Sequence, residues 1–267
     1  MKEAHHGEGD KKTYRYGMVV DLDKCTGCGA CMVGCMAENN LPFRKDNSDR
    51  TRSMLWMRVY KISNGRTFPN SDISYIPRPC QHCEGKDYHH ATPCVSVCPA
   101  TVTDYSHETG IVSQIYTRCF GCRYCMAACP YHVRVFNWWD PTWPKGMKKY
   151  LNPDVSIRMR GVVEKCSFCY HRLQRARNKA YAEGRAELHE NEYQTACTQA
   201  CPAGAITFGD LNDPHHKVYK LKKDPNAFRL LEKLGTNTKI YYVSSKAWVR
   251  KAGNAYTGMQ GDVVIPG

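Results

Sequence analysis

The sequence predicts an α+β protein made of two similar cysteine-rich halves, and three observations lead to this fold class. The 267 residues contain sixteen cysteines, which fall into four runs of four with none left over. Short stretches between the runs alternate apolar and polar residues, as half-buried strands do. No apolar stretch approaches the roughly 18–20 residues of a membrane-spanning helix. We therefore expect a soluble or membrane-peripheral protein whose fold is organised around its cysteines.

Two of the four cysteine runs are continuous, with the spacing C-x2-C-x2-C-x3-C. The first run is Cys25, Cys28, Cys31 and Cys35, and the third run is Cys119, Cys122, Cys125 and Cys129, followed by Pro130. This spacing is typical of a cubane iron–sulfur cluster, in which the fourth cysteine binds a neighbouring cluster. Three cysteines on one tight loop can hold three irons, whereas the fourth lies one helical turn further on and points elsewhere.

The other two runs are interrupted by insertions but keep a C-x2-C pair and a C-x3-C-P ending. The second run is Cys80, Cys83, Cys94 and Cys98, and the fourth run is Cys166, Cys169, Cys197 and Cys201. Alone, these two runs would also fit a zinc ribbon. The two continuous runs do not fit this alternative, because a tetrahedral zinc site does not require four cysteines packed within eleven residues. The sequence as a whole therefore favours four iron–sulfur clusters over structural zinc or a disulfide framework.

The segments around the first run predict short elements. Tyr16–Asp21 is expected to be a strand and residues 31–38 a helix, with Gly27 and Gly29 letting the loop between them bend. An insertion follows, in which residues 54–62 and 73–76 are expected to pair as strands. We expect Pro77 and Pro79 to end the second of these strands.

The second and third runs are joined by a predicted hairpin of residues 102–105 and 111–115. A run, a hairpin and a run make the ferredoxin arrangement, so we expect two ferredoxin-like domains. Trp138, Trp139 and Trp143 follow the third run. They could line a quinone-facing or partner-facing surface, or pack locally over the run.

After the fourth run the sequence predicts a strand, a helix and a tail. Residues 173–182 form a basic helix before the run's second half, and residues 205–208 a strand after it. Residues 228–234 are expected to be an amphipathic helix capped by Asp224-Pro225, and Ile240–Val243 a strand. The tail has no cysteine, which favours an arm laid over a partner subunit; a disordered terminus is the alternative.

The predicted domain organisation follows from these elements. Its parts are a disordered leader (1–13), a first ferredoxin-like domain (14–40 plus 150–210), an insertion (41–76), a second ferredoxin-like domain (77–149) and a long C-terminal arm (211–267). The leader has neither an apolar core nor twin arginines, so we expect no export signal.

The formal net charge of +13 does not indicate nucleic-acid binding. Four oxidised clusters with their thiolates would carry roughly −2 each and leave about +5. Much of the basic excess would then neutralise the clusters. We find no Walker A or G-x-G-x-x-G motif, and Tyr193 stands where a zinc-protease helix would need a second histidine. We expect no catalytic residues.

The order of the runs, together with two local motifs, resembles a known family. The motifs are Glu164-Lys165-Cys166-x2-Cys169-x2-Arg172-Leu173 and Cys129-Pro130-Tyr131. The family comprises the four-cluster electron-transfer subunits of complex iron–sulfur molybdoenzymes, as in dimethyl sulfoxide, nitrite, polysulfide and tetrathionate reductases. The chain is also similar to the iron–sulfur subunits of alternative complex III and of the periplasmic quinone reductase complex of sulfate reducers. The resemblance covers residues 16–245.

The resemblance implies which cysteines share a cluster. The first set is Cys25, Cys28, Cys31 and Cys201, the second set Cys35, Cys166, Cys169 and Cys197, the third set Cys80, Cys83, Cys94 and Cys129, and the fourth set Cys98, Cys119, Cys122 and Cys125. Most clusters are expected to be 4Fe-4S. Some members of the family replace the residue equivalent to Cys122 and hold a 3Fe-4S cluster in the fourth set. Others do so with all four cysteines, so both cluster types stay open here.

The resemblance also implies partners and a location. In the family, the first cluster faces a large molybdopterin-enzyme-like subunit and the fourth faces an integral membrane quinone-binding subunit; a multihaem cytochrome c is a further partner. The chain would be a non-catalytic electron-transfer subunit on the periplasmic face of the cytoplasmic membrane, exported with a partner. The alternative is a cytoplasmic polyferredoxin, serving a soluble hydrogenase or formate dehydrogenase.

Overall fold

The structure is a computed structural model that describes residues 13–43, 53–85, 92–255 and 263–264. Nearly all of the predicted leader, residues 44–52 of the predicted insertion and residues 86–91 within the second cysteine run lie outside the described residues. Within them, the strands are β1 (Tyr16–Asp21), β2 (Arg58–Ser63), β3 (Ile73–Arg78), β4 (Thr103–Tyr105), β5 (Val112–Gln114), β6 (Val135–Phe136), β7 (Val163–Glu164), β8 (Ile206–Asp210), β9 (Ala227–Phe228), β10 (Ile240–Val243) and β11 (Val263–Val264). The helices are α1 (Ala30–Glu38), α2 (Pro93–Ser96), α3 (Tyr124–Ala127), α4 (Tyr170–Ala182), α5 (Ala196–Gln199), α6 (Lys217–Leu221) and α7 (Ala247–Ala255).

A four-stranded sheet in the order β8-β1-β10-β9 joins the two ends of the chain. Met18 of β1 lies opposite Phe208 of antiparallel β8 and Ile240 of parallel β10. All three side chains are buried, and β1 is paired along both of its edges. The first run follows β1 and the fourth run precedes β8, so this pairing brings the two runs to the same end of the sheet.

The remaining strands form small sheets. β2 and β3 are antiparallel, with β11 parallel to β2 on the other edge. β4 and β5 form the predicted hairpin between the second and third runs. β6 pairs with β7, so that Val135 lies opposite Glu164 and the third run is tied to the fourth. These pairings hold the cysteine loops together, while the division into two ferredoxin-like domains stays a prediction.

The prediction that Pro77 ends the return strand of the insertion is wrong, whereas Pro79 directly follows the last residue of that strand. β3 continues through Pro77, which lies opposite Val59, and ends at Arg78. β3 is an edge strand of its sheet. Proline is tolerated there because its nitrogen is not needed for a ladder hydrogen bond.

The C-terminal part of the chain differs most from its prediction. Residues 228–234 are not an amphipathic helix: Phe228 ends β9, Leu231 has a φ of 50°, and Glu232–Leu234 is a short 3-10 turn. Asp224 accepts a hydrogen bond from the Asn226 N–H at 2.7 Å, which makes a turn rather than a helix cap. Phe228 is held in extended form because it pairs with Tyr242 of β10.

The predicted C-terminal arm is also corrected as far as Ala255. β10 lies in the middle of the main sheet, and Ile240, Tyr242 and Val249 are fully buried. The segment therefore completes the core of its own chain. Most of the residues after Ala255 lie outside the described part of the structure. Among the described residues, no helix is both long and apolar enough to cross a lipid bilayer.

Replacing Ile240 with alanine tests the place of this segment in the core. We expect the free energy of unfolding to fall by about 2–5 kcal/mol, because the substitution leaves a cavity under β1. Leu234→Ala is the control, since Leu234 is 54% exposed; its effect should stay within about 0.5 kcal/mol. Denaturant titration followed by circular dichroism gives both values. Equal midpoints for the two variants would mean that the segment adds nothing to the core.

Candidate iron–sulfur cluster sites

All sixteen cysteines lie in the described residues, and none of them forms a disulfide. The structure brings them together in four groups. In the first, burial and then the neighbouring thiolates of Cys25, Cys201 and Cys28 raise the pKa of Cys31 to about 12. The Cys201 thiolate comes from the far end of the chain. These four residues are the members of the first set.

The second and third groups are more deeply buried. Burial, followed by the thiolates of Cys166, Cys169 and Cys197, raises the pKa of Cys35 well above its usual range. In the third group, burial and then the Cys80, Cys129 and Cys94 thiolates do the same to the pKa of Cys83. The two groups contain the members of the second and third sets, and all eight residues are buried.

The fourth group lines a small cavity. The cysteines that line it are Cys98, Cys119, Cys122 and Cys125, the members of the fourth set. Gln114, Phe120 and Val163 are among the other residues that line it. The Val102 N–H donates to Cys98 Sγ at 3.2 Å, and the Val163 N–H donates to Cys119 Sγ at 3.5 Å. The cavity thus presents four soft sulfur donors together with backbone donors that stabilise thiolates.

The chemistry of these four groups fits iron–sulfur clusters. A coordinating thiol is deprotonated, so four converging thiolates need a bound cation or metal cluster to offset their mutual repulsion. Among the described residues, no three or more His, Cys, Asp or Glu side chains form a site for a single metal ion. A single ion needs ligands that meet at one point, whereas a cubane cluster takes one thiolate on each of its irons and is a larger body.

Equivalent loops hold the ligands in all four runs. The residue before the second cysteine has a positive φ in each run: Gly27 (73°), His82 (45°), Gly121 (76°) and Phe168 (54°). At Gly121 a Cβ would also collide with the Gly161 carbonyl oxygen. Two of the Cys-Pro endings also share a hydrogen bond to sulfur. The backbone N–H of the residue four positions after the cysteine donates to its sulfur, at 3.2 Å for Cys98 and at 3.3 Å for Cys201. Such N–H···S bonds favour the charged form of the ligand.

The four sets follow one another in a row. The Cys31 thiolate of the first set raises the pKa of Cys35 in the second, after burial and the thiolates of its own set. Cys80 of the third set is the strongest thiolate neighbour of Cys166 in the second. Burial raises the pKa of Cys125 in the fourth set, and the Cys94 thiolate of the third set also raises it, against the opposing effect of Arg134. Packing agrees with these neighbours: the loop of the second run contacts the loop of the fourth run through His82 and Phe168, and Cys94 packs in one buried cluster with Cys125. Together they favour the order first, second, third, fourth along the molecule.

Exposure differs between the ends and the middle of this row. Cys28 in the first set and Cys122 in the fourth set are exposed, whereas every cysteine of the second and third sets is buried. Phe120 and Tyr124, on either side of Cys122, are 65% and 66% exposed. Each end of the row therefore opens to the surface and its middle is enclosed.

Arg134 is a buried cation between the third and fourth sets, and the sequence reasoning missed it. Burial works to lower its pKa, but the thiolates of Cys94, Cys125, Cys80 and Cys129 outweigh burial and hold the pKa above its usual value. Arg134 Nη1 donates to Gln114 Oε1 at 2.8 Å, which fixes the guanidinium. The one available signal was an arginine inside an apolar strand segment directly after the third run.

Residues of the Glu164-Lys165-Cys166 motif support the second set. Glu164 and Arg158 form a fully buried ion pair at 3.0 Å. Arg158 Nη2 also donates to the carbonyls of Asn39 and Asn40, which follow α1. Asn39 Nδ2 lies 3.7 Å from Cys35 Sγ, within hydrogen-bond range for sulfur. The motif thus ties the end of α1, and Cys35 with it, to the loop of the fourth run.

The basic helix α4 and the tryptophan segment both make contacts with neighbouring parts of the same chain. Arg172 of α4 pairs with Glu38, and its hydrogen bond holds the pKa of Glu38 at about 2. Trp138 packs edge-on against Phe136 with ring centroids 4.6 Å apart, and Arg123 lies 5.0 Å above the Trp138 ring. Trp138 therefore packs over the third run while more than a third of it stays exposed.

Comparison with known protein families agrees with this chemistry. Residues 71–148 match a family model described as a 4Fe-4S dicluster domain, and residues 118–205 match a second model of the same description. Residues 16–37 match a 4Fe-4S binding domain model. The chain therefore binds 4Fe-4S clusters.

Curated relatives cover most of the chain. It is 57% identical to the iron–sulfur cluster-binding subunit of menaquinone reductase from Nitratidesulfovibrio vulgaris, over 91% of this chain and 93% of the relative. It is 36% identical to a putative dimethyl sulfoxide reductase iron–sulfur subunit from Halobacterium salinarum, over 86% and 79%. It is 32% identical to one of the polysulfide reductase chains from Wolinella succinogenes, over 87% and 95%.

Arg134→Gln tests the electrostatic part of this description. Loss of a buried positive charge should lower the midpoint potentials of the clusters in the third and fourth sets, because reduction adds negative charge there. A unit charge about 8 Å away contributes about 2 kcal/mol at an effective dielectric constant of about 20, which is about 85 mV for one electron. EPR-monitored redox titration measures the shift. The control is Arg175→Gln, since the Arg175 side chain is 70% exposed. Equal potentials in both variants would contradict a role for Arg134.

Proposed function

This protein belongs to the family of iron–sulfur subunits of reductase complexes, and we propose that its four cysteine sets hold four clusters that conduct electrons between two partner subunits. The chain is an electron-transfer subunit of an oxidoreductase complex, without catalytic activity of its own. Each bound cluster would supply one-electron chemistry. The protein supplies the ligands, their order and their surroundings.

One feature supports this proposal: neighbouring thiolates link the sets in a row, and the cysteines are exposed at its two ends and buried in its middle. An electron carrier between two partners needs a site near the surface at each end, and sites shielded from solvent between them. A single storage cluster or a structural metal site would need neither. The row runs from Cys28 at one surface to Cys122 at the other.

The protein groups around the row have definite tasks. Backbone N–H groups that donate to the sulfurs of Cys98, Cys119 and Cys201 stabilise the charge of these thiolates. Arg134 offsets charge between the third and fourth sets. Hydrogen bonds and buried charges of this kind are the protein's means of setting cluster potentials. The buried surroundings of the two middle sets would exclude water from the path.

We infer that the fourth set faces an integral membrane quinone-binding subunit and the first set faces a large molybdopterin-enzyme-like subunit or a multihaem cytochrome c. The menaquinone reductase relative, with 57% identity, supports the quinone side of this assignment. The apolar, exposed rings of Phe120 and Tyr124 beside Cys122 suit a covered surface. The complex would lie on the periplasmic face of the membrane.

Metal analysis of the intact membrane-extracted complex, prepared without oxygen, tests this function. We expect about sixteen irons and as many labile sulfides per chain, since each of four cubanes holds four irons. An EPR-silent oxidised state would indicate four 4Fe-4S clusters. About fifteen irons with an oxidised three-iron signal would place a 3Fe-4S cluster in the row. Zinc without labile sulfide would exclude electron transfer by this chain.

Cys125→Ser in the same complex links the fourth set to quinone chemistry. Cys125 is the buried ligand of that set, and serine oxygen is a harder and poorer ligand for iron. We expect the EPR signal of one cluster to change and quinone-linked turnover to slow, while reduction of the other clusters by a small soluble reductant continues. Unchanged EPR spectra together with unchanged turnover would contradict the assignment.

A further inference from the structure

Two of the four cysteine loops carry a bulky residue where the other two carry glycine. The position before the second cysteine has a positive φ in all four runs, and Gly27 and Gly121 occupy it in the first and third runs. His82 and Phe168 occupy it in the second and fourth runs. Positive φ is unfavourable for residues with a Cβ, so these two side chains are retained against a backbone preference. Such a departure points to a task for the side chains themselves.

The two side chains stack on each other. The imidazole of His82 and the ring of Phe168 have centroids 3.6 Å apart and planes 16° apart. Both residues are completely buried. The stack is thus a direct contact between two loops that are remote in sequence.

The stack lies at the middle of the row of sets. His82 lies between Cys80 and Cys83 of the third set, and Phe168 lies between Cys166 and Cys169 of the second. Cys80 is also the strongest thiolate neighbour of Cys166. The two rings therefore stand where the second and third sets approach each other.

Buried hydrogen bonds hold both residues in place. The Val112 N–H donates to His82 Nδ1 at 3.1 Å, and the hydroxyl of Tyr193 donates to the Phe168 carbonyl. Lys165 Nζ donates to the carbonyls of Val112 and Cys166, the latter at 2.7 Å. The same ammonium group thus holds the strand that orients His82 and the loop that carries Phe168. Neither residue can shift without breaking a buried polar contact.

We propose that the His82–Phe168 stack is a positioning contact that sets the separation between the second and third clusters and keeps the path between them packed. The proposal rests on the proposed function, because it presupposes clusters in both sets. Nothing in the cysteine spacing demands rings at these two positions, since the first and third runs have glycine there.

The physical reason is the distance dependence of electron transfer. One electron leaves one cluster and enters the next without making or breaking a bond, and the rings are neither oxidised nor reduced. The rate and the magnetic interaction of two clusters both fall as their separation grows. Removal of a ring would leave a void, which the surrounding loops would close by shifting or fill with water.

His82→Gly and Phe168→Gly provide the test, in the intact complex. Each substitution removes a ring and installs the residue that the first and third runs use, so that the backbone conformation is favoured. The readouts are iron and labile sulfide content and the spin–spin broadening of EPR spectra of the reduced clusters. We expect full iron content, unchanged signals from the first and fourth clusters, and loss of the broadening between the second and third.

Two further variants keep the test decisive. His82→Phe retains a ring for stacking while it loses the hydrogen bond that the Val112 N–H donates to the imidazole, so it should retain the broadening. Phe208→Leu removes an aromatic side chain that meets Phe168 edge-on at 5.3 Å and leaves both rings of the stack in place; it should also retain the broadening. If either glycine variant loses iron, His82→Phe and Phe208→Leu can still be compared with the native chain.

The outcomes separate the two proposals. Unchanged broadening in both iron-replete glycine variants would overturn the positioning role, and so would loss of broadening in iron-replete His82→Phe. Joint loss of the second and third clusters from a glycine variant, with the other two intact, would support the role. Absence of iron and labile sulfide from the native chain would instead refute the proposed function.

Discussion

The cost of burying many thiolates side by side is the constraint on which the rest of the structure depends. Every member of the second and third sets is buried, and burial is the largest cause of the raised pKa of Cys35, Cys83 and Cys166. A deprotonated ligand is stable in such surroundings only beside positive charge or hydrogen-bond donors. Arg134 and the N–H donors at the cysteine loops provide part of this compensation, and the metal of the clusters would provide the rest. The basic composition of the chain serves this internal need at least in part.

The chain path converts that chemistry into a row. β1 and β10 are parallel neighbours in one sheet, and β8 closes the other side of β1, so that the first and fourth runs meet. The β4–β5 hairpin brings the third run back to the second, and β6 pairs with β7 to join the two pairs of runs. His82 and Phe168 make contact at that junction. Order along the row is therefore a consequence of strand pairing, while exposure at its two ends follows from the position of Cys28 and Cys122 on outer loops.

Local spacing made the cysteine runs, the β4–β5 hairpin, α1 and α4 predictable, because each depends on contacts within a short stretch of sequence. Long-range pairing was not predictable in the same way. The tail from Asp210 has no cysteine and weak periodicity, yet Ile240–Val243 occupies the centre of the main sheet; only its partners reveal this. Pro77 remained in a strand because β3 is an edge. Arg134 and the stack of His82 on Phe168 depend on which loops meet in space, and spacing alone does not contain that information. The grouping of the cysteines into sets came from family resemblance, because spacing alone does not say which runs meet.

Anomalous diffraction at the iron edge, from crystals of the intact complex grown without oxygen, tests the central claim most directly. The account predicts four separate iron sites in a row, each within bonding distance of one cysteine set, with the first near Cys28 and the last near Cys122. Fewer than four iron sites or a branched arrangement would contradict it. So would an iron site whose four cysteines come from more than one of the sets. Anomalous signal at the zinc absorption edge instead of the iron edge at these positions would also contradict the account, because zinc does not carry electrons.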